Sequence, residues 1–273
     1  VRLPVQNVFQ IEQDTLGQMW FATSRGVVYS DGIQTYDLTD SLLRKFAFRI
    51  SIHKDEEGHF WLYNASGVPV VLKGTKSGWS EVDFPPQVTA KFSSEIRFFT
   101  LGKGSQKRLF VDTGSQLIHW SQDETEKKVI SRDIGITGSL SSALRWNRKD
   151  ILFFQKGVYV LENGYLKDFN LKGIALPDFP TVVRQAPSGD FYFLGNSFLA
   201  RGKTPDFPEE ILDKNFTNPE VISSPYFSLA FKGDYVYYHY NSHFKRYHPS
   251  RREPLTLDLF YLFRSNYIHT LFI

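Results

Sequence analysis

The sequence predicts an all-β protein, a β-propeller of four-stranded antiparallel blades. The first observation is a repeat, in which four chemically different residues return after the same interval of 41 residues. They are Asp14, Gly17, Trp20 and Gly26, which return as Asp55, Gly58, Trp61 and Gly67. An interval of about 40 to 45 residues is typical of a propeller blade. The second observation is that 16% of the residues are aromatic and no long run has helical apolar periodicity, so helices should be few and short.

The first copy of the repeat carries the signals of four antiparallel strands. Asp14 can accept a backbone hydrogen bond and Gly17 can adopt a positive φ, so the chain can reverse there at little cost. The strand that follows is rich in the aromatic and β-branched side chains that suit a pleated sheet. Asp31-Gly32 is typical of a tight hairpin. The predicted strands are residues 8–12, 18–23, 27–30 and 33–38.

Later copies keep the spacing of strands and turns but lose most of the signature residues. Their aromatic strands are expected at 109–111, 151–154, 191–193 and 235–238. We therefore predict one propeller domain over 1–273, with blades at about 6–48, 49–90, 91–142, 143–182, 183–224 and 225–266 and the first strand of a seventh at 267–273. The chain is then expected to be a fragment of a larger seven-bladed ring, and a six-bladed ring with a trailing strand is the alternative.

Charge and composition exclude several classes of protein. The chain has no cysteine, which rules out disulfides and zinc-thiolate sites within it. A net charge of +3 falls short of the concentrated basic surface of a nucleic-acid-binding protein. The sequence contains no pattern of a signal peptide or of a membrane span.

The first repeat, VFQIEQDTLGQMWFATSRGVVYSDG over residues 8–32, resembles the signature of the two-component regulator propeller family. In that family an apolar strand precedes Gln-Asp, a Gly, an aromatic strand that begins with Trp, a Thr, and then Gly-Val or Gly-Leu and Asp-Gly. The second copy, over 50–67, matches through Asp55, Gly58 and Trp61 but lacks the Thr and the Asp-Gly. Later copies match only in the spacing of their strands.

The resemblance implies an extracytoplasmic, periplasmic sensor domain of a receptor tethered to the inner membrane. Such propellers usually precede an immunoglobulin-like β domain, a membrane helix and a histidine kinase or diguanylate cyclase, and commonly sense oligosaccharides. It also implies a possible homodimer, because receptor kinases usually signal as dimers. We expect no catalytic residues, no cofactor and no metal in this domain. The alternatives are a propeller enzyme, either a polysaccharide lyase or a glycosidase, and a protein-interaction platform.

The signature residues are expected to serve turn geometry and packing between blades, so a ligand should instead meet loops that differ between blades. These are the turns between second and third strands and the connections into the next blade. Their polar and charged side chains suit a polyhydroxylated ligand. The candidate ligand-binding residues in these turns are Arg25, Asn64, Asp112, Lys156 and Asn196.

Four arginines lie at or near the innermost strands of successive blades and could form a positive well for carboxylate or sulfate. They are Arg49, Arg97, Arg145 and Arg184. Their registers disagree, and strand alternation turns about half of the residues away from the channel. Scattered surface or inter-blade ion pairs are therefore the alternative.

Trp146 is a further ligand-binding candidate, because sugar rings stack on aromatic planes and this residue lies outside the repeat position of Trp20 and Trp61. A role in the core or between blades is the alternative. His239 and His243 are four residues apart but flank a predicted hairpin, so they need not share a face and no metal site is expected. The sequence leaves paired catalytic carboxylates open.

Overall fold

The described residues fold into six four-stranded antiparallel sheets. In this computed structural model they are residues 8–14, 16–23, 26–31, 33–38, 50–64, 71–75, 77–82, 97–104, 107–113, 116–120, 127–130, 138–214, 227–240, 243–251 and 254–257. No α-helix occurs within these ranges, as the sequence predicts. A search of the same ranges finds no helix with the length and apolar character needed to span a membrane.

Each sheet consists of four strands that are consecutive in the chain, and each strand pairs with its sequence neighbours. We call these sheets blades 1 to 6. The chain forms two compact units, residues 1–134 with blades 1 to 3 and residues 135–273 with blades 4 to 6. The predicted first strand of a seventh blade, 267–273, lies outside the described residues, and the predicted blade boundaries stay a prediction.

The strands of the first unit agree closely with the predicted pattern. Blade 1 comprises β1 (Val8–Gln13), β2 (Met19–Thr23), β3 (Gly26–Ser30) and β4 (Thr35–Asp37). Blade 2 comprises β5 (Ile50–Lys54), β6 (Phe60–Asn64), β7 (Val71–Thr75) and β8 (Gly78–Glu81). Blade 3 comprises β9 (Arg97–Leu101), β10 (Arg108–Asp112), β11 (Leu117–Trp120) and β12 (Lys127–Ile130).

The second unit has the same arrangement. Blade 4 comprises β13 (Leu140–Trp146), β14 (Lys149–Phe154), β15 (Gly157–Glu162) and β16 (Tyr165–Asp168). Blade 5 comprises β17 (Val182–Gln185), β18 (Phe191–Leu194), β19 (Phe198–Thr204) and β20 (Phe207–Lys214). Blade 6 comprises β21 (Phe227–Lys232), β22 (Tyr235–Tyr240), β23 (His243–Tyr247) and β24 (Leu255–Leu257).

The repeated Asp, Gly and Trp build the turn between the first two strands of blades 1 and 2. The Asp14 Oδ1 atom accepts the backbone N–H groups of Leu16 at 2.9 Å and Gln18 at 2.8 Å. Its Oδ2 atom accepts the indole N–H of Trp20 at 3.1 Å. Gly17 has a φ of +82°, a conformation that costs glycine little. One carboxylate therefore closes the turn and orients the tryptophan.

Blade 2 repeats this arrangement atom for atom. The Asp55 Oδ1 atom accepts the backbone N–H groups of Glu57 at 3.0 Å and His59 at 2.9 Å. The Oδ2 atom accepts the indole N–H of Trp61 at 3.0 Å, and Gly58 has a φ of +88°. The signature residues thus serve the turn and the core, as predicted.

The tryptophans of the signature pack against aromatic residues of the following blade. The ring centroid of Trp20 lies 4.4 Å from that of Phe60 in blade 2, and the centroid of Trp61 lies 4.9 Å from that of Phe98 in blade 3. Both tryptophans have no exposed surface. Contacts between blades therefore bury the largest side chains of the first unit.

In the second unit both faces of blade 5 are covered. Phe191 and Phe193 of β18 pack in one core with Phe153 of blade 4. The alternate residues of β18, Tyr192 and Leu194, belong to a second core that includes Tyr238 of blade 6. Because successive side chains of a strand point to opposite faces, one short strand contributes to both cores.

Two hairpins of blade 4 have the same backbone shape but different residues at their second position. Asn163 and Gly164 have φ values of +52° and +79°, while Asn147 and Arg148 have φ values of +49° and +63°. A left-handed conformation is unfavourable for a residue with a side chain. Arg148 therefore adds local strain that a glycine at the same position would remove.

We expect Arg148→Gly to raise the free energy of unfolding by about 0.5 to 1 kcal/mol, because relief of backbone strain outweighs the extra freedom of the unfolded chain. The reciprocal control, Gly164→Ala, should lower it by a similar amount. Urea denaturation of the two variants measures both. If Arg148→Gly lowered the free energy of unfolding, the arginine side chain would stabilise the protein by more than its backbone conformation destabilises it.

Candidate functional site

Each blade has two ends that differ in their loops. The upper end carries the turn between the second and third strands and the connection into the following blade, and the lower end carries the other two turns. The pairing of strands places Phe154 opposite Gly157 and Leu194 opposite Leu199 at the upper ends of blades 4 and 5. The loops predicted to meet a ligand therefore lie at the upper ends.

Lys156 and Asn196 occupy the same turn in neighbouring blades. Both have exposed side chains at the upper end, in blades 4 and 5 respectively. Lys156 has no ion pair within the described ranges. These two predicted residues are therefore accessible from solvent. Arg25 lies outside the described residues.

Two other predicted turn residues end strands at the upper ends of the first unit. Asn64 is the last residue of β6. Asp112 is the last residue of β10, and its side chain has no exposed surface. A ligand in solvent does not reach Asp112, because the residue lies in the interior of its blade opposite Arg97 of β9.

The structure does not bring the predicted arginines to one end of their blades. Arg97 begins β9 at the upper end, whereas Arg145 lies near the lower end of β13, where its Nε atom is 3.4 Å from Asp150 Oδ1. Arg184 is exposed next to the last residue of β17, and Arg49 lies outside the described residues. The ion pair of Arg145 joins two strands of blade 4 and so is not one of the inter-blade pairs of the alternative.

Trp146 is partly buried and packs against the core cluster shared by blades 4 and 5. This position fits the core role that the sequence left open as the alternative to sugar stacking. Trp79 is likewise partly buried against the core of blades 1 and 2.

The upper end of blade 5 also contains a carboxylate that the sequence did not single out. Asp178 lies on the connection between blades 4 and 5 and is half-buried. Its Oδ1 atom accepts the backbone N–H of Asn196 at 3.3 Å, and its Oδ2 atom accepts the hydroxyl of Ser197 at 3.4 Å. We call Asp178, Phe179, Asn196 and Ser197 the Asp178 site. No spacing or motif marks Asp178, so sequence reasoning had no signal for it.

Burial raises the pKa of Asp178 above its ordinary value, although hydrogen bonds from Asn196 and Ser197 act in the opposite direction. Removal of solvent disfavours a carboxylate, and long hydrogen bonds compensate poorly. Asp178 also has no ion pair within the described ranges. Among the described residues, its loss of solvent is compensated only by these hydrogen bonds.

Phe179 is the apolar member of the site. Its side chain is 47% exposed, and Phe207, at 44%, is the other exposed phenylalanine in the part of the chain that the structure describes. The neighbouring backbone is fixed, because Thr181 donates its N–H to the carbonyl of Leu194 at 2.8 Å and Pro180 is buried. The exposed ring thus belongs to the residue that follows Asp178 in the chain.

A second charged cluster joins blades 2 and 3. The connection between β9 and β10 donates the backbone N–H of Gly102 to Glu56 Oε1 at 2.8 Å and that of Gly104 to Glu57 Oε1 at 2.7 Å. Lys107 is 3% exposed, and its ammonium group donates to Asp55 Oδ2 and, at 3.0 Å, to Glu57 Oε2. We call this cluster the clasp.

Ligand atoms of Asp55, Glu57 and His59 lie within 4.8 Å of one another, a spacing compatible with a cation. The ammonium of Lys107 already lies on both carboxylates, so a metal ion would have to displace a buried positive charge. Burial opposes ionisation of Asp55, but hydrogen bonds from Lys107 and Trp61 outweigh it and lower the pKa of that carboxyl. The clasp is therefore a structural ion pair.

We expect Asp55→Asn to destabilise the protein far more than Asp14→Asn, which changes the same turn in blade 1. Loss of Asp55 leaves the buried Lys107 without its main counter-charge and should cost about 3 to 5 kcal/mol. Asp14 has no ion pair within the described ranges, so its substitution should cost about 1 kcal/mol. Urea denaturation compares the two.

The double variant Asp55→Asn/Lys107→Met is the control for the clasp. It removes both charges and should recover part of the lost stability. If Asp55→Asn and Asp14→Asn lowered the free energy of unfolding equally, the buried charge of Lys107 would not depend on Asp55.

We expect Asp178→Asn to raise the free energy of unfolding at neutral pH by about 1 kcal/mol, because the amide can make the same hydrogen bonds without a buried charge. With a raised pKa in the folded state, ionisation opposes folding above that pKa. The gain should therefore shrink as the pH falls and vanish below the ordinary value of 3.8, where the carboxyl is protonated in both states.

Thermal unfolding across this pH range measures the effect. Asp234→Asn, at the exposed turn between β21 and β22, is the matched control and should change stability little at any pH. A destabilised Asp178→Asn variant at neutral pH would contradict the assignment of an uncompensated charge.

No model of a protein family matches this sequence, and no curated protein matches it. Solved structures match it over most of its length. The extracellular domain of BT4673 from B. thetaiotaomicron, described as a hybrid two-component system, is 14% identical with a TM-score of 0.66, covering 94% of this chain and 34% of that one. The corresponding domain of BT3049 is 13% identical with a TM-score of 0.64, covering 90% and 34%.

A third match is apo AztD from Citrobacter koseri, which is 10% identical with a TM-score of 0.57 and covers 93% of this chain and 86% of that one. The chain spans about a third of the length of the two extracellular domains, which belong to the class of protein that the first repeat resembles. At these identities the likeness establishes the fold. The chain is an all-β protein with the β-propeller fold, and its described residues form six four-stranded blades.

Proposed function

We propose that this chain is the extracytoplasmic ligand-binding sensor domain of a bacterial two-component receptor. The receptor detects an oligosaccharide in the periplasm and relays the signal to a cytoplasmic kinase or cyclase. The propeller belongs to a longer, membrane-tethered parent that acts as a homodimer. In this proposal the domain binds its ligand and does not transform it.

The observation that carries the proposal is the likeness to the extracellular domains of BT4673 and BT3049, which extends over 94% and 90% of this chain. The Asp, Gly and Trp turns of blades 1 and 2 support it independently, because they are the elements that resemble two-component regulator propellers. A likeness of fold and a likeness of motif thus point to the same class of receptor.

The upper ends of blades 4 and 5 supply a suitable surface. Lys156 and Asn196 are exposed there, and Asp178 and Ser197 add a carboxylate and a hydroxyl. Ligand sites commonly combine a few polar groups with apolar and aromatic side chains. Binding residues commonly lie on loops held by a rigid scaffold.

We expect the purified chain to bind at least one short oligosaccharide saturably. A ligand that binds only the folded state at about 100 times its dissociation constant stabilises that state by about 2.7 kcal/mol. A thermal-shift screen of neutral and acidic oligosaccharides therefore detects binding as a rise in melting temperature. Calorimetry of each hit then gives the affinity.

Chromatography of each bound sugar after prolonged incubation tests the absence of turnover. The sensor function predicts unchanged sugar. Shortened or unsaturated products would favour the propeller enzyme, and the absence of saturable binding to any sugar would contradict an oligosaccharide sensor.

A further inference from the structure

We propose that the Asp178 site binds the hydroxyl groups of a neutral sugar residue, with Phe179 stacked on the ring of that sugar. This inference rests on the proposed sensor function and specifies its ligand class and the place where the ligand binds. It differs from the sequence expectation of an arginine-lined well for acidic groups.

The carboxylate of Asp178 can accept more hydrogen bonds than the described residues donate to it. An ionised aspartate offers about four lone-pair positions. The backbone N–H and side chain of Asn196 and the hydroxyl of Ser197 donate to it, at 3.3 Å for the backbone N–H and 3.4 Å for the hydroxyl. The carboxylate can therefore accept a further hydrogen bond from a hydroxyl group in solvent. Because its present hydrogen bonds are long, a stronger donor can also replace one of them.

The turn that Asp178 forms with Asn196 and Ser197 does not itself require a charged side chain. An asparagine could accept the same N–H of Asn196 and bond Ser197 without the cost of a half-buried ion. Within the described part of the chain, the groups that shift the pKa of Asp178 are its burial and the hydrogen bonds from Asn196 and Ser197, with no cation among them. An unneutralised carboxylate is a stronger acceptor than an amide, and hydrogen bonds to a charged group are about twice as strong as neutral ones.

The residue that follows Asp178 in the chain adds an exposed aromatic ring. Sugar rings carry C–H groups on their faces, and these pack on aromatic rings while the hydroxyls at the rim form hydrogen bonds. Phe179 is 47% exposed and follows Asp178 directly in the chain. Pro177 and Pro180 flank the pair and restrict its backbone, so little ordering is needed on binding.

Charge then selects between classes of sugar. A uronic acid or a sulfated sugar would bring a second negative charge to a carboxylate that has no ion pair within the described ranges. Like charges at contact distance disfavour binding. The site therefore suits neutral sugars and rejects acidic ones.

The test is calorimetric titration of the intact 273-residue chain with two sets of short oligosaccharides. One set is neutral, containing gluco-, manno-, galacto- and xylo-oligosaccharides, and the other contains uronate and sulfated oligosaccharides. Wild type is compared with Asp178→Asn and Phe179→Ala. The controls are Asp234→Asn and Tyr165→Ala, which change an exposed aspartate and an exposed aromatic residue at the lower ends of blades 6 and 4.

We expect a neutral oligosaccharide to bind wild type and both controls, and to bind Asp178→Asn and Phe179→Ala about tenfold more weakly or worse. Circular dichroism confirms that each variant is folded. The affinity of wild type should also fall as the pH is lowered and Asp178 takes up a proton, while that of Asp178→Asn should not. If Asp178 only shaped the turn, the sugar affinities of wild type and Asp178→Asn would depend on pH in the same way.

Unchanged neutral-sugar affinity in Asp178→Asn and Phe179→Ala would overturn the site and leave the sensor function standing. Preferential binding of the acidic set would do the same. If wild type binds neither set, the proposed oligosaccharide sensor fails, and the Asp178 site fails with it.

Discussion

The carboxylate at the turn between the first and second strands is the constraint on which blades 1 and 2 depend. In each blade it receives two backbone N–H groups and one indole N–H, so a single side chain fixes the reversal of the chain and the direction of a tryptophan. That tryptophan is then buried against an aromatic residue of the next blade. A local turn thus determines a contact between sheets, because a sheet of four short strands cannot bury both of its faces alone.

Asp55 and Asp178 have pKa values shifted in opposite directions, because their surroundings differ. Asp55 is fully buried and its pKa is lowered, because Lys107 and Trp61 donate to it and outweigh the effect of burial. Asp178 is half-buried and its pKa is raised, because burial outweighs the hydrogen bonds from Asn196 and Ser197. A compensated charge joins two blades in the first case. In the second, the half-buried charge carries the proposed sugar site.

The sequence was sufficient for the fold, since the repeat interval and the turn residues predict four-stranded blades without reference to long-range contacts. It was also sufficient to place Lys156 and Asn196 at the turn between second and third strands, because that position follows from strand order. It could not show that Asp112 is buried, since both faces of a blade are covered and alternation does not separate inside from outside. Whether Arg97 and Arg145 share an end depends on the length of each hairpin, which the pattern of residues leaves open.

Asp178 was beyond prediction for a different reason. It lies on the connection between blades 4 and 5, over residues 169–181, away from the signature residues of the repeat. Its neighbours Asn196 and Ser197 are close only because blade 5 folds back to meet that connection. Proximity of this kind arises from tertiary structure and leaves no periodic trace in the sequence.

The loss of the signature after blade 2 has a consequence for how the protein acquires its structure. Blades 1 and 2 close their first turn with an aspartate, blade 4 uses Asn147-Arg148, and blade 5 uses residues 186–190. Neighbouring repeats that are nearly identical can exchange strands and become trapped in misassembled forms. Because the blades that follow blade 2 differ from it in turn chemistry and strand sequence, we expect a strand that joins the wrong sheet among them to form a poorer ladder. Divergence among the later repeats should therefore make pairing errors in newly made chains less frequent.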